Sequence, residues 1–178
     1  RALPPVGHPL RFRDIIHVLG KDRSNNSFLR KWFSETPLFM VSSGSAALTL
    51  CLQSLRPISN RTEVVLPAYT CPSLVSAVVR AGLKPVLCDV KPFHFQMDPD
   101  DLSSRINSNT LAIMAVHLFG IPENMSELKE LAKQKGVYVI EDAAQGFGNT
   151  CGESDSLCQG RCGNLSILSF GRGKPMSL

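Results

Sequence analysis

Short apolar runs alternate with segments of helical spacing along this chain, and that alternation narrows the folds open to it. Val64-Val65-Leu66, Val86-Leu87-Cys88, residues 111–116, Val137-Tyr138-Val139-Ile140 and residues 165–170 have the length and the β-branched or aromatic content of buried strands. Between them lie helix patterns. Leu48, Leu50, Cys51 and Leu55 follow a small-residue turn, and Pro72, with Thr70 as the expected cap before it, opens a segment that runs to Arg80 and stops at Gly82. Asp98-Pro99-Asp100 caps a helix through Leu102 and Ile106. Residues 124–134 turn Met125, Leu128 and Leu131 inward before Gly136. Strand and helix in alternation with short links predict an α/β fold, a three-layer α/β/α sandwich on a largely parallel sheet.

Residues 37–41 read as a further short strand leading into Ser42-Ser43-Gly44. Upstream, residues 1–9 are Pro-rich and predict an extended arm. Residues 10–19 carry Phe12, Ile15, Ile16 and Leu19 near helical spacing, and Asn25-Asn26-Ser27 caps a short helix bearing Phe28, Leu29 and Trp32. The expected division is an N-terminal arm with helices over 1–36 and one ligand-binding domain over 37–178 that looks cut short.

With 43% hydrophobic and 19% charged residues, the chain can bury one sizeable core. The net charge of +4 is mildly basic, but there is no long Lys/Arg run, so nucleic acid is not an expected partner. No apolar run reaches the roughly eighteen residues of a membrane span, and no signal peptide is visible; a cytoplasmic protein is expected. Of the six cysteines, Cys51, Cys71 and Cys88 fall in or beside core elements. Cys151, Cys158 and Cys162 crowd one loop in a spacing that matches no common zinc pattern, with no nearby His, so no metal is expected.

The chemistry gathers at strand ends. Glu141-Asp142-Ala143-Ala144-Gln145 closes one apolar run, where open α/β sheets bind ligands. Another run passes through Ser169-Phe170 into Gly171-Arg172-Gly173-Lys174. Ser43-Gly44-Ser45-Ala46 stands at a helix N-terminus, whose free N–H groups and dipole favour a phosphate. Taken singly, each is an ordinary cap or surface residue. A carboxylate, a phosphate cradle and an amine in this order suit a cofactor with a ring nitrogen, a phosphate and an aldehyde, which describes pyridoxal phosphate.

The same stretches carry a family likeness. Ser43-Gly44-Ser45-Ala46-Ala47-Leu48, Leu66-Pro67-Ala68-Tyr69-Thr70, Val116-His117-Leu118-Phe119-Gly120, Glu141-Asp142-Ala143-Ala144-Gln145 and the segment from Gly163 to Lys174 appear in the order of their counterparts in another group of proteins. The sequence resembles the DegT/StrS family of pyridoxal-phosphate-dependent aminotransferases, of the aspartate-aminotransferase fold (fold type I). The resemblance implies that Lys174 forms a reversible imine with the cofactor and then moves the α-proton. It implies that Asp142 pairs with the pyridine nitrogen, Gln145 meets the ring hydroxyl, Gly44, Ser45, Ala46 and Ser169 hold the phosphate, and Cys71 stands where the family places an aromatic over the ring.

It further implies a homodimer and ping-pong transfer of an amino group from a donor, glutamate, to a keto sugar nucleotide. Family members continue beyond this lysine into the rest of the large domain and a small C-terminal domain, so the chain alone is expected to turn over poorly. A sugar dehydratase of the same family, a non-catalytic cofactor-binding remnant, and an unrelated α/β domain are the competing readings; Lys174 stands where the dehydratases carry His. Departures are Cys71, Asn164 in place of Asp, with a structural role only, the Cys-rich loop, and Pro175 after the lysine.

Overall fold

A computed structural model describes residues 36–146 and 160–170. Five strands form one sheet: β1 (Glu63–Pro67), β2 (Lys84–Cys88), β3 (Thr110–Val116), β4 (Tyr138–Asp142) and β5 (Leu165–Ile167). Their order is β2-β1-β3-β4-β5, and every neighbouring pair is parallel. Helices α1 (Gly44–Leu55), α2 (Pro72–Arg80), α3 (Pro99–Arg105) and α4 (Met125–Lys135) connect or precede the strands.

Local chemistry explains the helix ends. Ser43 caps α1, its hydroxyl accepting from Ala46 N–H at 3.2 Å. Asp98 caps α3 by accepting from the N–H groups of Asp100 and Asp101. Asn124 caps α4, and Gly136 ends it in the left-handed conformation at φ 62°, as a glycine C-cap does.

All residues of β1 and β3 are buried, because both faces of a central parallel strand are covered. Alternation along β1 sends Val64 and Leu66 into one core with Leu48, Leu52, Leu74 and Val78 of α1 and α2. Val65 enters a second core with Leu102, Leu128 and Ala132 of α3 and α4. One core on each face is the three-layer sandwich expected from the alternation.

From β1 the chain steps outward to β2 and then returns to place β3 on the other side of β1. The reversal between β1 and β3 is a topological switch point, where an open α/β sheet leaves a crevice beyond its carboxyl ends.

Three local expectations change. Residues 37–41 are not a strand; Leu38, Phe39, Met40 and Val41 are exposed, and no described strand offers the ladder partner that extended backbone needs. The strand expected over 165–170 ends at Ile167, after its pairing with Asp142. Thr70, expected as a helix cap, is not one: Cys71 occupies the N-cap of α2 without a side-chain cap bond, and Pro72 opens the helix as expected. Asn164 does have a structural role. Its backbone N–H donates to Val139 O at 2.8 Å, and its Oδ1 accepts from Val139 N–H at 2.7 Å, which ties the start of β5 to β4. The helices expected over 10–19 and 25–32, Cys151 and Cys158 lie outside the described residues. No helix among the described residues is long and apolar enough to cross a membrane.

Candidate active site

The crevice at the carboxyl end of the sheet is a cavity of about 450 Å³. Strand ends and two helix N-termini wall it. Gly44 and Ser45 come from the start of α1, Thr70 and Cys71 from the turn after β1, and Val116 and His117 from the end of β3. Asp142 and Gln145 come from the end of β4 and the turn after it, and Ile167 and Ser169 from β5 and just beyond.

Among the residues predicted for the site, Gly44, Ser45, Cys71, Asp142, Gln145 and Ser169 therefore share one cavity. Ala46 lies in the first turn of α1 but outside the lining, and its N–H is given to Ser43 Oγ. Lys174 lies outside the described residues.

Asp142 is the last residue of β4 and is only 6% exposed. Its Oδ1 accepts from Ala144 N–H at 2.9 Å, and its carbonyl accepts from His117 N–H at 3.1 Å. These bonds hold a carboxylate in the cavity wall. Gln145 is oriented by its neighbour: its Oε1 accepts from Phe119 N–H at 2.9 Å. With that oxygen engaged, the remaining amide group is a donor, suited to an acceptor oxygen. Phe119 provides the N–H from a left-handed backbone, φ 56°, uncommon for a non-glycine residue and followed by Gly120 at φ 79°.

At the other end of the cavity, Ser169 approaches the start of α1. A Cβ added to Gly44 would sit 3.6 Å from Ser169 Cβ and 3.7 Å from its Oγ. The helix N-terminus and two serine side chains, Ser45 and Ser169, thus stand together, an arrangement that favours an anion. Cys71 is exposed at the start of α2, and Ser73 Oγ donates to its Sγ at 3.0 Å.

Sequence reasoning missed part of the wall. Thr70 Oγ1 is buried and is without a hydrogen-bond partner among the described residues, and its residue lines the cavity. An unmet buried hydroxyl costs about 1–3 kcal/mol, so it points to an occupant with a polar group. Tyr69 and Phe119, both exposed, form a rim with Phe95: the Tyr69 and Phe95 rings stack at 5.8 Å, and Phe95 meets Phe119 edge-on at 5.2 Å. Thr70, Tyr69 and Phe119 stand in the same motifs as the predicted residues, with Tyr69 a candidate to replace the aromatic absent at Cys71, whereas Phe95 gives no advance signal. A polar ring with a phosphate fits this lining: an acid for a ring nitrogen, amide and hydroxyl donors for oxygens, and an anion cradle.

Within the wall, His117 is 1% exposed; its Nδ1 accepts from Glu123 N–H at 3.1 Å, and its Nε2 lies 2.8 Å from Glu141 Oε1. Glu123 is also buried, and its Oε1 accepts from Met97 N–H at 2.8 Å. Burial pushes the Glu123 carboxyl up to about 7, with the Met97 bond opposing the rise. The folded protein therefore keeps a proton there that the unfolded chain releases near its ordinary value of 4.5. Stability tied to this group is complete below that value and is lost as the pH rises to about 7. Glu123→Gln keeps the acceptor for Met97, so it is expected to stabilise the protein by about 1–3 kcal/mol near pH 8 and by little near pH 5. Urea unfolding at the two pH values checks the difference.

Comparison with known proteins agrees with this architecture. The chain is 38% identical over 130 residues to GDP-perosamine synthase of Escherichia coli O157:H7, covering 73% of this chain and 35% of that protein. It spans about a third of the length of the curated relatives it matches. A solved aminotransferase from Psychrobacter cryohalolentis superposes with a TM-score of 0.74 at 31% identity, over 85% of this chain and 37% of that one. A Streptococcus pneumoniae protein described as a sugar aminotransferase, solved in its PLP form, superposes with a TM-score of 0.85 over 98% of this chain and half of its own; at 23% identity it speaks for the fold. Residues 29–178 match one family throughout, and the chain belongs to the DegT/DnrJ/EryC1/StrS aminotransferase family.

Proposed function

We propose that this chain carries the pyridoxal-phosphate site of an aminotransferase that moves an amino group from glutamate to a keto sugar nucleotide, in a protein that works as a homodimer. The observation that carries the reading is the convergence of Gly44, Ser45, Cys71, Asp142, Gln145 and Ser169 on one cavity at the switch point of the sheet. Family membership and the aminotransferase or transaminase names of several relatives that act on sugars support it.

Asp142 would hold the ring nitrogen protonated, its charge sheltered from water by burial. The free amide group of Gln145 would donate to the ring oxygen. Gly44, Ser45 and Ser169 would take the phosphate, with Ala46 supporting the helix turn rather than touching it. Cys71 would lie against the ring with a small polarisable thiol instead of an aromatic face. Lys174 would anchor the cofactor covalently and, once released as a free amine, take the proton from the amino-bearing carbon of the donor. When bound, the cofactor supplies an electron sink for the bonds at the amino-bearing carbon.

The test uses full-length protein loaded with pyridoxal phosphate. A yellow protein, bleached by glutamate and recoloured by a nucleotide-linked keto sugar, is the expected result. Colour that no amino donor discharges would mean a binding remnant without catalysis. A protein that takes up no cofactor would remove the reading altogether.

A further inference from the structure

Glu141, a heavily bonded side chain near the cavity, is one that the proposed function leaves idle. Glu141 precedes Asp142 on β4 and is fully buried. Its Oε1 accepts from Gly160 N–H at 2.6 Å and faces His117 Nε2 at 2.8 Å. Its Oε2 accepts from Cys162 N–H at 2.8 Å, Gly163 N–H at 2.9 Å and Ser166 Oγ at 3.1 Å.

Burial alone would raise this carboxyl, but His117 and the backbone N–H groups of 160, 162 and 163 outweigh it and leave it below its ordinary value. The group is thus an ionised carboxylate wrapped by donors, an anion held in a backbone nest. His117 completes the logic: Nδ1 accepts from Glu123 N–H, so the ring proton facing Glu141 sits on Nε2.

We propose that Glu141 is a positioning residue: its carboxylate gathers the 160–163 backbone, Ser166 and His117 into one cluster, and so fixes Ser169 at the anion end of the cavity and His117 in its floor. Ser166 is the register partner of Glu141 across β4 and β5, and Ser169 follows three residues later, beside the start of α1. β5 pairs over only three residues, so the cluster supplies fixation that so short a strand lacks. The proposal concerns the frame of the cavity; its consequence for phosphate binding rests on the proposed cofactor.

Glu141→Gln is the decisive variant. Gln has one acceptor oxygen, and its amide NH₂ would face N–H donors, so several donors are orphaned at once. Two measurements on the full-length protein follow. Amide hydrogen exchange over 160–170 should quicken by about tenfold or more while the peptides of β1 and β3 keep their protection. The preference for pyridoxal phosphate over pyridoxal should fall by about tenfold, because only the phosphate end is displaced; a general loss of stability would weaken both ligands alike. If Glu141→Gln does not fold, Ser166→Ala removes a single donor and should show a smaller rise confined to the same peptides.

Unchanged exchange over 160–170, or an equal rise throughout the sheet, overturns the positioning role. Local exchange that rises with an unchanged ligand preference overturns the link to Ser169. Wild-type protein that binds neither ligand removes the cofactor reading, and exchange then still decides the role of Glu141 in the frame.

Discussion

Asp142→Ala is expected to reduce turnover by about a hundredfold or more and to weaken cofactor binding, with little change in folding. The carboxylate is buried in the cavity wall at 6% exposure. Removing one partner of a buried, hydrogen-bonded ion pair costs about 3–5 kcal/mol, and each 1.36 kcal/mol is about a factor of ten in rate. The side-chain bond that Asp142 accepts from Ala144 N–H, at 2.9 Å, is worth about 1 kcal/mol to the fold. Asp142→Asn separates charge from shape, since its Oδ1 can still accept from Ala144. The account expects Asn to fold as the parent does and to be nearly as inactive as Ala, measured by steady-state rates and by cofactor titration. Full activity in Asp142→Asn would show that the charge has no part in the reaction.

Gly163→Ala is expected to be among the most destabilising single-methyl additions in the described fold. A Cβ there would lie 2.7 Å from Leu165 O, 3.0 Å from Glu141 Cβ and 3.1 Å from Val139 O. Two of these are backbone atoms, so no side-chain rotation relieves the clash. The segment must move away from β4, which strains the Gly163 N–H bond to Glu141 and the Asn164 bonds to Val139. Overpacking of this kind costs about 1–3 kcal/mol, and the strained buried bonds add about as much again. Gly136→Ala is the contrasting change. Nothing lies within 4 Å of its added Cβ, and the penalty there is the left-handed backbone at φ 62°, about 1–2 kcal/mol. Urea midpoints should therefore rank the parent above Gly136→Ala and Gly136→Ala above Gly163→Ala.

What the sequence made legible was local and periodic. Asp98 before Pro99 and Gly136 after a helix pattern announced real helix ends, because a cap is a bond between near neighbours. The apolar runs Val64-Val65-Leu66 in β1 and 111–116 in β3 announced central strands, because a parallel strand covered on both faces needs apolar residues at successive positions. Residues 37–41 misled for the complementary reason: strand character is completed by a partner, and the sequence of one segment does not reveal whether a partner is there.

The site was legible where residues belong to motifs at strand ends, such as Asp142 and Ser169. It was illegible where function depends on three-dimensional neighbours. Thr70 reads as a cap but turns out to be a buried hydroxyl on the cavity, since Cys71 takes the cap position. Glu141 reads as the companion of Asp142, yet pleating sends it into a cluster with residues nineteen to twenty-five positions away. Phe119 reads as an apolar residue in a run, and only its left-handed backbone shows how it aims the amide of Gln145.

The most direct measurement is reductive trapping. Full-length protein loaded with pyridoxal phosphate is treated with borohydride, digested and read by mass spectrometry. One pyridoxyl label on the peptide that contains Lys174, abolished by Lys174→Ala, is the predicted result. A label on some other lysine, or none on a protein that nonetheless transaminates, would contradict the assignment of this cavity to the cofactor.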